Sequence, residues 1–298
     1  MAEATQNVPE KSVHRQTLRL LFTNLFEHNV GKSAAALAYY LLFALFPVLI
    51  FASNLLGLLD LNVGAVTETL SHFMPKDVVA LVENYLGYVS HTSSKTLLWF
   101  ALVFSVWFPM RAVKGLMLDV RKAYHLGNPK KLIKYGIRQL IYTIVFLIVI
   151  AVTLFLSTMG ENILSLIFEY FPKNAPKISG YLLNIWQYVR FIPAGILMFV
   201  ALGILYAMSM DEKQKFKTLL PGITLALFGW MIVSIGFSFY VENFASYSII
   251  YGTLGTVIIL MVWLYMTSLI LIMGAELNAA LKTIRQSEAG GSVDGQKK

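Results

Sequence analysis

An all-α, polytopic membrane helical bundle is the fold class this sequence predicts, and three observations carry it. Of its 298 residues 57% are hydrophobic and only 13% charged, and mean hydropathy is +0.66, well above what a soluble domain of this length shows. Its apolar runs are long enough for helices to cross a hydrocarbon core of roughly 30 Å. None shows the period-two alternation of barrel strands. Six such segments are counted, one of them completed by a charged turn, so the prediction is six transmembrane helices plus amphipathic helices at the interface and outer face.

Residues 1–11 are polar and are expected to be a disordered tail. Residues 12–281 form the membrane domain. After Ser12, a candidate N-cap, Leu18, Leu21, Phe22, Leu25 and Phe26 fall at helical spacing with Arg15 and Arg19 among them. That pattern predicts a helix on the cytoplasmic membrane surface, or one packed on the bundle as a prop. Span 1 covers about 34–59 and carries Tyr39, Tyr40 and Pro47; a mid-span proline removes one helical hydrogen bond and makes a hinge or a fixed bend. Residues 61–95 read as a structured outer cap. After Pro75, Val78, Leu81, Val82, Tyr85, Leu86 and Val89 share one helical face there.

Span 2, about 96–118, is apolar only as far as Phe108. That run rises roughly 20 Å as a helix, so the helix has to continue through Pro109, Arg111 and Lys114 to cross. The two cations either snorkel to water, bind an anionic head group, or pair with Asp119 or Glu276. From Arg111 to Arg138 the chain also holds Arg121, Lys122, Lys130, Lys131 and Lys134 against the single acid Asp119, which marks this loop as cytoplasmic. Gly127, Asn128 and Pro129 break the helix before span 3 at about 137–158. Span 4 covers about 181–210, or starts at Arg190 with Pro193 in its first turn. Lys213, Lys215 and Lys217 make the next loop cytoplasmic too.

Span 5, about 219–241, sets Gly222, Gly229 and Gly236 on one face, for close helix packing or a smooth lipid path. Span 6, about 251–280, opens on Gly252 and Gly255, has no charge from Thr256 to Met273, and closes on Gly274, Glu276 and Asn278. Residues 282–298 are expected to be a disordered cytoplasmic tail, so both termini lie inside.

Zero cysteines exclude disulfides and thiolate chemistry. No Walker loop, dinucleotide fingerprint or His-Glu-x-x-His is present, and His14, His28, His72, His91 and His125 are too scattered to predict a metal site by spacing. The expectation is no enzyme and no cofactor, and any transport would be passive, gradient-driven or powered by another protein. The candidate lipid-binding residues are Arg111, Lys114, Asp119, Glu276, Asn278, Tyr39 and Tyr40; the candidate hinge and packing residues are Pro47, Pro109 and the glycines at 222, 229, 236, 252, 255 and 274. Glu276 either ends its helix at the surface, counter-charges Arg111 and Lys114, or carries a proton. The net charge of +8 is read as an orientation signal; the expected partners are membrane lipids, anionic ones among them, and no nucleic acid. The oligomeric state stays open, a homo-oligomer included.

Four blocks carry a resemblance: ALAYYLLFALFPVLI in span 1, RKAYHL after span 2, LLPGITLALFGWMIVSIGFSFYVENFASYSIIYGTLG through span 5, and WLYMTSLILIMGAELNAAL at the end. Between about Leu18 and Leu281 the chain resembles the YihY/BrkB family of bacterial inner-membrane proteins. The family motif falls on Tyr39, Tyr40, Pro47, Tyr247, Tyr251, Gly252, Gly255, Trp263, Gly274, Glu276 and Asn278. The resemblance implies residence in the bacterial cytoplasmic membrane and a role in moving or flipping a lipid or other envelope component, or in scaffolding envelope biogenesis. An older ribonuclease label in the family is disfavoured here, because a metal-dependent nuclease needs a ligand cluster on a soluble domain.

Overall fold

Helices apolar on every face can only be satisfied by other helices or by lipid, and the computed structural model is built from them. It describes residues 10–58, 63–71, 74, 76–90, 95–129, 131–170, 191–212, 214–244 and 253–294. Among these the elements are α1 (Glu10–Glu27), α2 (Val30–Leu58), α3 (Val63–Ser71), α4 (Lys76–Ser90), α5 (Lys95–Ala123), α6 (Leu132–Tyr170), α7 (Phe191–Ser209), α8 (Phe216–Phe244) and α9 (Thr253–Asp294). The all-helical class holds. Four stretches are long and apolar enough to cross a membrane by length and composition: Val30–Ile50, Leu132–Val152, Phe216–Val241 and Leu254–Ser287. The six-span expectation is therefore met for four helices. α5 is diluted by its charges, and the apolar part described in α7 is the shorter Gly195–Ser209.

Two boundaries differ from expectation. α6 runs on past 158 to Tyr170, about 58 Å of helix at 1.5 Å per residue. α9 continues through the stretch expected to be a disordered tail, to Asp294. Packing explains the second: Ile284 is buried against the bundle and the Lys282 ammonium lies over the Tyr124 ring at 5.4 Å. Local composition could not reveal that support. Within 61–95 the described residues hold two helices, α3 and α4, and α4 buries Val78, Val82 and Leu86 as the face pattern predicted.

α2 packs on α5 and α9, α9 packs on α8, and α1 lies across α9. The largest core cluster joins Ala34 and Leu37 of α2, Met117 and Val120 of α5, Tyr206 of α7, Ile223 of α8 and Ala275 of α9. It sits toward the end that carries α1 and the α5–α6 and α7–α8 turns, hereafter the basic end. A smaller cluster of Ala38, Val78, Phe237, Leu260 and Trp263 lies farther along.

The tightest helix crossing is α8 on α9. A Cβ on Gly222 would meet the Gly274 carbonyl oxygen at 2.0 Å, and one on Gly274 would meet the Gly222 oxygen at 2.5 Å, so both positions require the absent side chain. Gly229 faces Ile270, but a Cβ on Gly236 would meet nothing within 4 Å among the described residues; there the predicted small-residue face serves α9 over Gly222 and Gly229. Gly255 is buried. Gly252, Tyr247 and Tyr251 lie outside the described residues. Pro47 and Pro109 sit inside continuous helices, both buried.

Candidate functional site

The predicted site residues separate into two places. The first is a buried polar knot at the basic end. Asn29, in the left-handed conformation at φ 53°, ends α1 and turns the chain into α2, a role asparagine fills because its short side chain tolerates that region. This turn presents His28 and Asn24 to α9. Glu276 is 2% exposed; its Oε1 is 2.6 Å from His28 Nδ1, and its Oε2 accepts a hydrogen bond from Asn24 Nδ2 at 3.1 Å. α5 closes the other side. Lys122 Nζ donates to the His28 carbonyl oxygen, the Ser33 hydroxyl lies beside the Asp119 carboxyl, and the His28 and His125 rings meet edge-on at 5.2 Å.

α5 ends where it does through backbone bonds from Leu126 to Arg121 and from His125 to Lys122, with His125 at φ 53° in the position glycine usually takes. Asp119 lies just beyond the predicted span 96–118. Burial lifts its carboxyl above the usual carboxylate range, against the opposing pull of Ser33 and Lys122.

Neither expectation for Glu276 as a surface residue or as the partner of Arg111 and Lys114 survives. It is buried, its helix continues, and its partners come from α1. Arg111 is held elsewhere by register. Asn278 is committed too: its Oδ1 accepts the Gly222 N–H at 2.7 Å and its Nδ2 donates to the Leu219 carbonyl at 3.0 Å. Pro221 lies between those two residues and lacks an N–H, so Asn278 bonds α9 to a turn of α8 that a proline has weakened.

A pair of arginines braces the end of α7. Arg121, its side chain 3% exposed, donates to the Gly127 and Ser209 carbonyls and to Asp211 Oδ2 at 2.9 Å. Arg138 donates to the Met208 and Met210 carbonyls. Cations at a helix C-terminus satisfy its orphan carbonyls and its dipole. These bonds are structural.

The second place is an exposed aromatic seam between α2 and α5. Tyr40, Tyr39 and Phe43 are in ring contact along α2, Phe43 meets Phe108 across the helices at 5.8 Å, and Phe108, Phe104 and Phe100 continue up α5. Tyr39, Phe43 and Phe100 are exposed. Beside them Arg111 lays its guanidinium over the Trp107 ring at 4.9 Å, and Lys114 is exposed. Tyr39 and Tyr40 thus lie on the seam and Arg111 on the ring next to it along α5, apart from Asp119, Glu276 and Asn278.

Sequence reasoning missed Asn24, His28 and Arg121 as site residues. The RKAYHL block held Arg121, Lys122 and His125, but nothing local said that His28 would meet them. Among the described residues no three metal-ligating side chains converge.

α1 adds a further surface. Thr17, Asn24 and His28 point into the bundle, while Leu18, Phe22 and Phe26 are exposed, Phe26 by 74%. A helix with its polar side inward and large apolar side chains outward suits a membrane surface.

A family model described as Virulence factor BrkB matches residues 21–296. The ribonuclease-like protein YfkH of Bacillus subtilis is 29% identical over 264 residues, 89% of this chain and 94% of that one. A UPF0761 membrane protein of Chromohalobacter salexigens is 28% identical over 292 residues, 92% of this chain and 65% of that one. A third, from Pseudoalteromonas translucida, is 35% identical over 106 residues, 36% of this chain and 33% of that one. No solved structure matches.

Proposed function

The chain belongs to the Virulence factor BrkB family, and from that premise we propose that this multi-pass membrane protein moves or flips a lipid or another amphiphilic envelope component without hydrolysing a nucleotide itself. One observation carries the reading: a seam of aromatic rings runs along two helices on the lipid face, with Arg111 and Lys114 beside it. Rings at the lipid boundary give acyl chains a continuous apolar surface, and the cations offer a polar head group a stop along the way. The knot supports the seam from behind by fixing α1, α5 and α9 to one another.

In this reading the basic end faces the cytoplasm, as the excess of lysine and arginine in its turns favours, and the membrane is the bacterial inner membrane. The ribonuclease-like name of YfkH suggests another activity. The buried acid of this chain argues against carrying it over, because Glu276, 2% exposed and already bonded to His28 and Asn24, offers an RNA phosphodiester no access.

The test is reconstitution of the full chain in liposomes carrying fluorescent phospholipids or lipid precursors in one leaflet. Exchange between leaflets without nucleotide, slowed by Arg111→Ala and by Phe104→Ala, is the expected result. No exchange under any ion gradient would remove the reading. In that event a stable crosslinked partner, with Arg111→Ala and Glu276→Ala both harmless in cells, would favour a non-transporting scaffold instead.

A further inference from the structure

Arg111 is deeper in the bundle than its charge alone would place it. The nearness of Ser33 to Asp119 and the Phe43–Phe108 ring contact set the antiparallel register of α2 and α5. Interpolating between those pairs puts Arg111 opposite Tyr40 and Leu41, about two turns inside the expected span 34–59. The side chain also points the wrong way for snorkelling. Side chains on a helix lean toward its N-terminus, and Arg111 does so, resting on Trp107, one turn farther from the basic end where water would solvate it.

Among the described residues the guanidinium meets the Trp107 ring and no carboxylate or carbonyl. Lys114, near it on α5, is exposed and likewise meets no carboxylate among them. The indole face occupies one side of the guanidinium plane and leaves its in-plane N–H donors free. Those donors suit a phosphate or carboxylate, which they can bind in bidentate fashion. The seam of Tyr39, Phe43, Phe104 and Phe108 adjoins this place, and Tyr39 adds an exposed hydroxyl.

We propose that Arg111, with Lys114 and the Trp107 ring, is an intramembrane binding site for the anionic head group of a lipid whose acyl chains lie along the aromatic seam. The site draws the head group below the ordinary interface. A zwitterionic head group brings its own cation against Arg111 and Lys114 and is bound less well. The site rests on the proposed movement of amphiphiles for its purpose, but its test reads binding.

The full-length protein is placed in nanodiscs containing phosphatidylglycerol with a photoreactive diazirine beside the head group, or the matching phosphatidylcholine, and adducts are mapped by mass spectrometry. Phosphatidylglycerol adducts are expected on α5 within a turn of Arg111, displaced by unlabelled phosphatidylglycerol and not by phosphatidylcholine. Arg111→Gln should lower them about tenfold, Arg111→Lys should restore part, and adducts near Lys131, Lys134, Lys215 and Lys217 should persist as a sign of intact folding. Adducts on α5 unchanged in Arg111→Gln, or found only at the basic end, would overturn the site. Displacement by inorganic phosphate would assign the anion to a free ion and overturn the lipid assignment. Adducts at Arg111 in a protein that moves no lipid between leaflets would support the site while removing the transport reading.

Discussion

The polar knot at the basic end and the exposed aromatic seam each hold charge in a membrane protein, by opposite means. In the knot, Glu276 is enclosed and each carboxylate oxygen has a protein partner, so its burial is offset by His28 and Asn24. In the seam, Arg111 has an indole and open donors. A charge satisfied inside the protein holds helices together; a charge left open toward lipid recruits something from outside. The two places share α5, so substitutions can break one and spare the other.

The largest effect is expected from Glu276→Ala, which strands two buried partners and should lower stability by about 3 kcal/mol, read as the unfolding midpoint of the detergent-solubilised protein. If that variant unfolds no more easily than Arg111→Ala, the contrast between the two places fails. Asn24→Ala removes one hydrogen bond to the same carboxylate and should cost about 1 kcal/mol. Phe100→Ala, exposed on the seam, should cost about 0.5 kcal/mol or less while still slowing leaflet exchange.

Asp119→Asn tests the knot by pH. Burial raises the Asp119 carboxyl in the fold, so the protein favours its protonated form, and that stabilisation is lost as pH rises through the raised value. An uncharged amide in its place avoids the loss and can still accept from Ser33. The variant should match or exceed wild-type stability above neutrality, and any advantage should vanish toward acid pH; an advantage largest in acid would contradict the assignment. The smallest change in stability is expected at α1. With no native cysteine, Phe22→Cys can carry a spin label, which should report lipid contact; a water-exposed label would take α1 off the membrane surface.

Much of the fold was legible because hydrophobic period and length are local properties. Val78, Val82 and Leu86 announced the buried face of α4, and Gly127 with Pro129 announced the break after α5. The membrane class followed from composition, and Tyr39, Tyr40, Arg111 and Lys114 were recognised one by one as groups with an unusual place in an apolar run. The tail beyond 282 was misjudged because its helix is held by Ile284 and Lys282, contacts made by partners far along the chain.

What the sequence determined by itself was the all-helical membrane class, the basic character of one end, and the presence of charge where apolar residues prevail. What only the tertiary structure decided was the pairing. His28 lies 248 residues from Glu276, and neither spacing nor composition encodes a meeting made by α1 folding across α9. Likewise, only the register of α2 against α5 shows that Arg111 lies opposite Tyr40 and Leu41, beside the rings. Periodicity is written within each helix, but the partner of a buried charge is set by how helices cross, and that depends on the whole bundle.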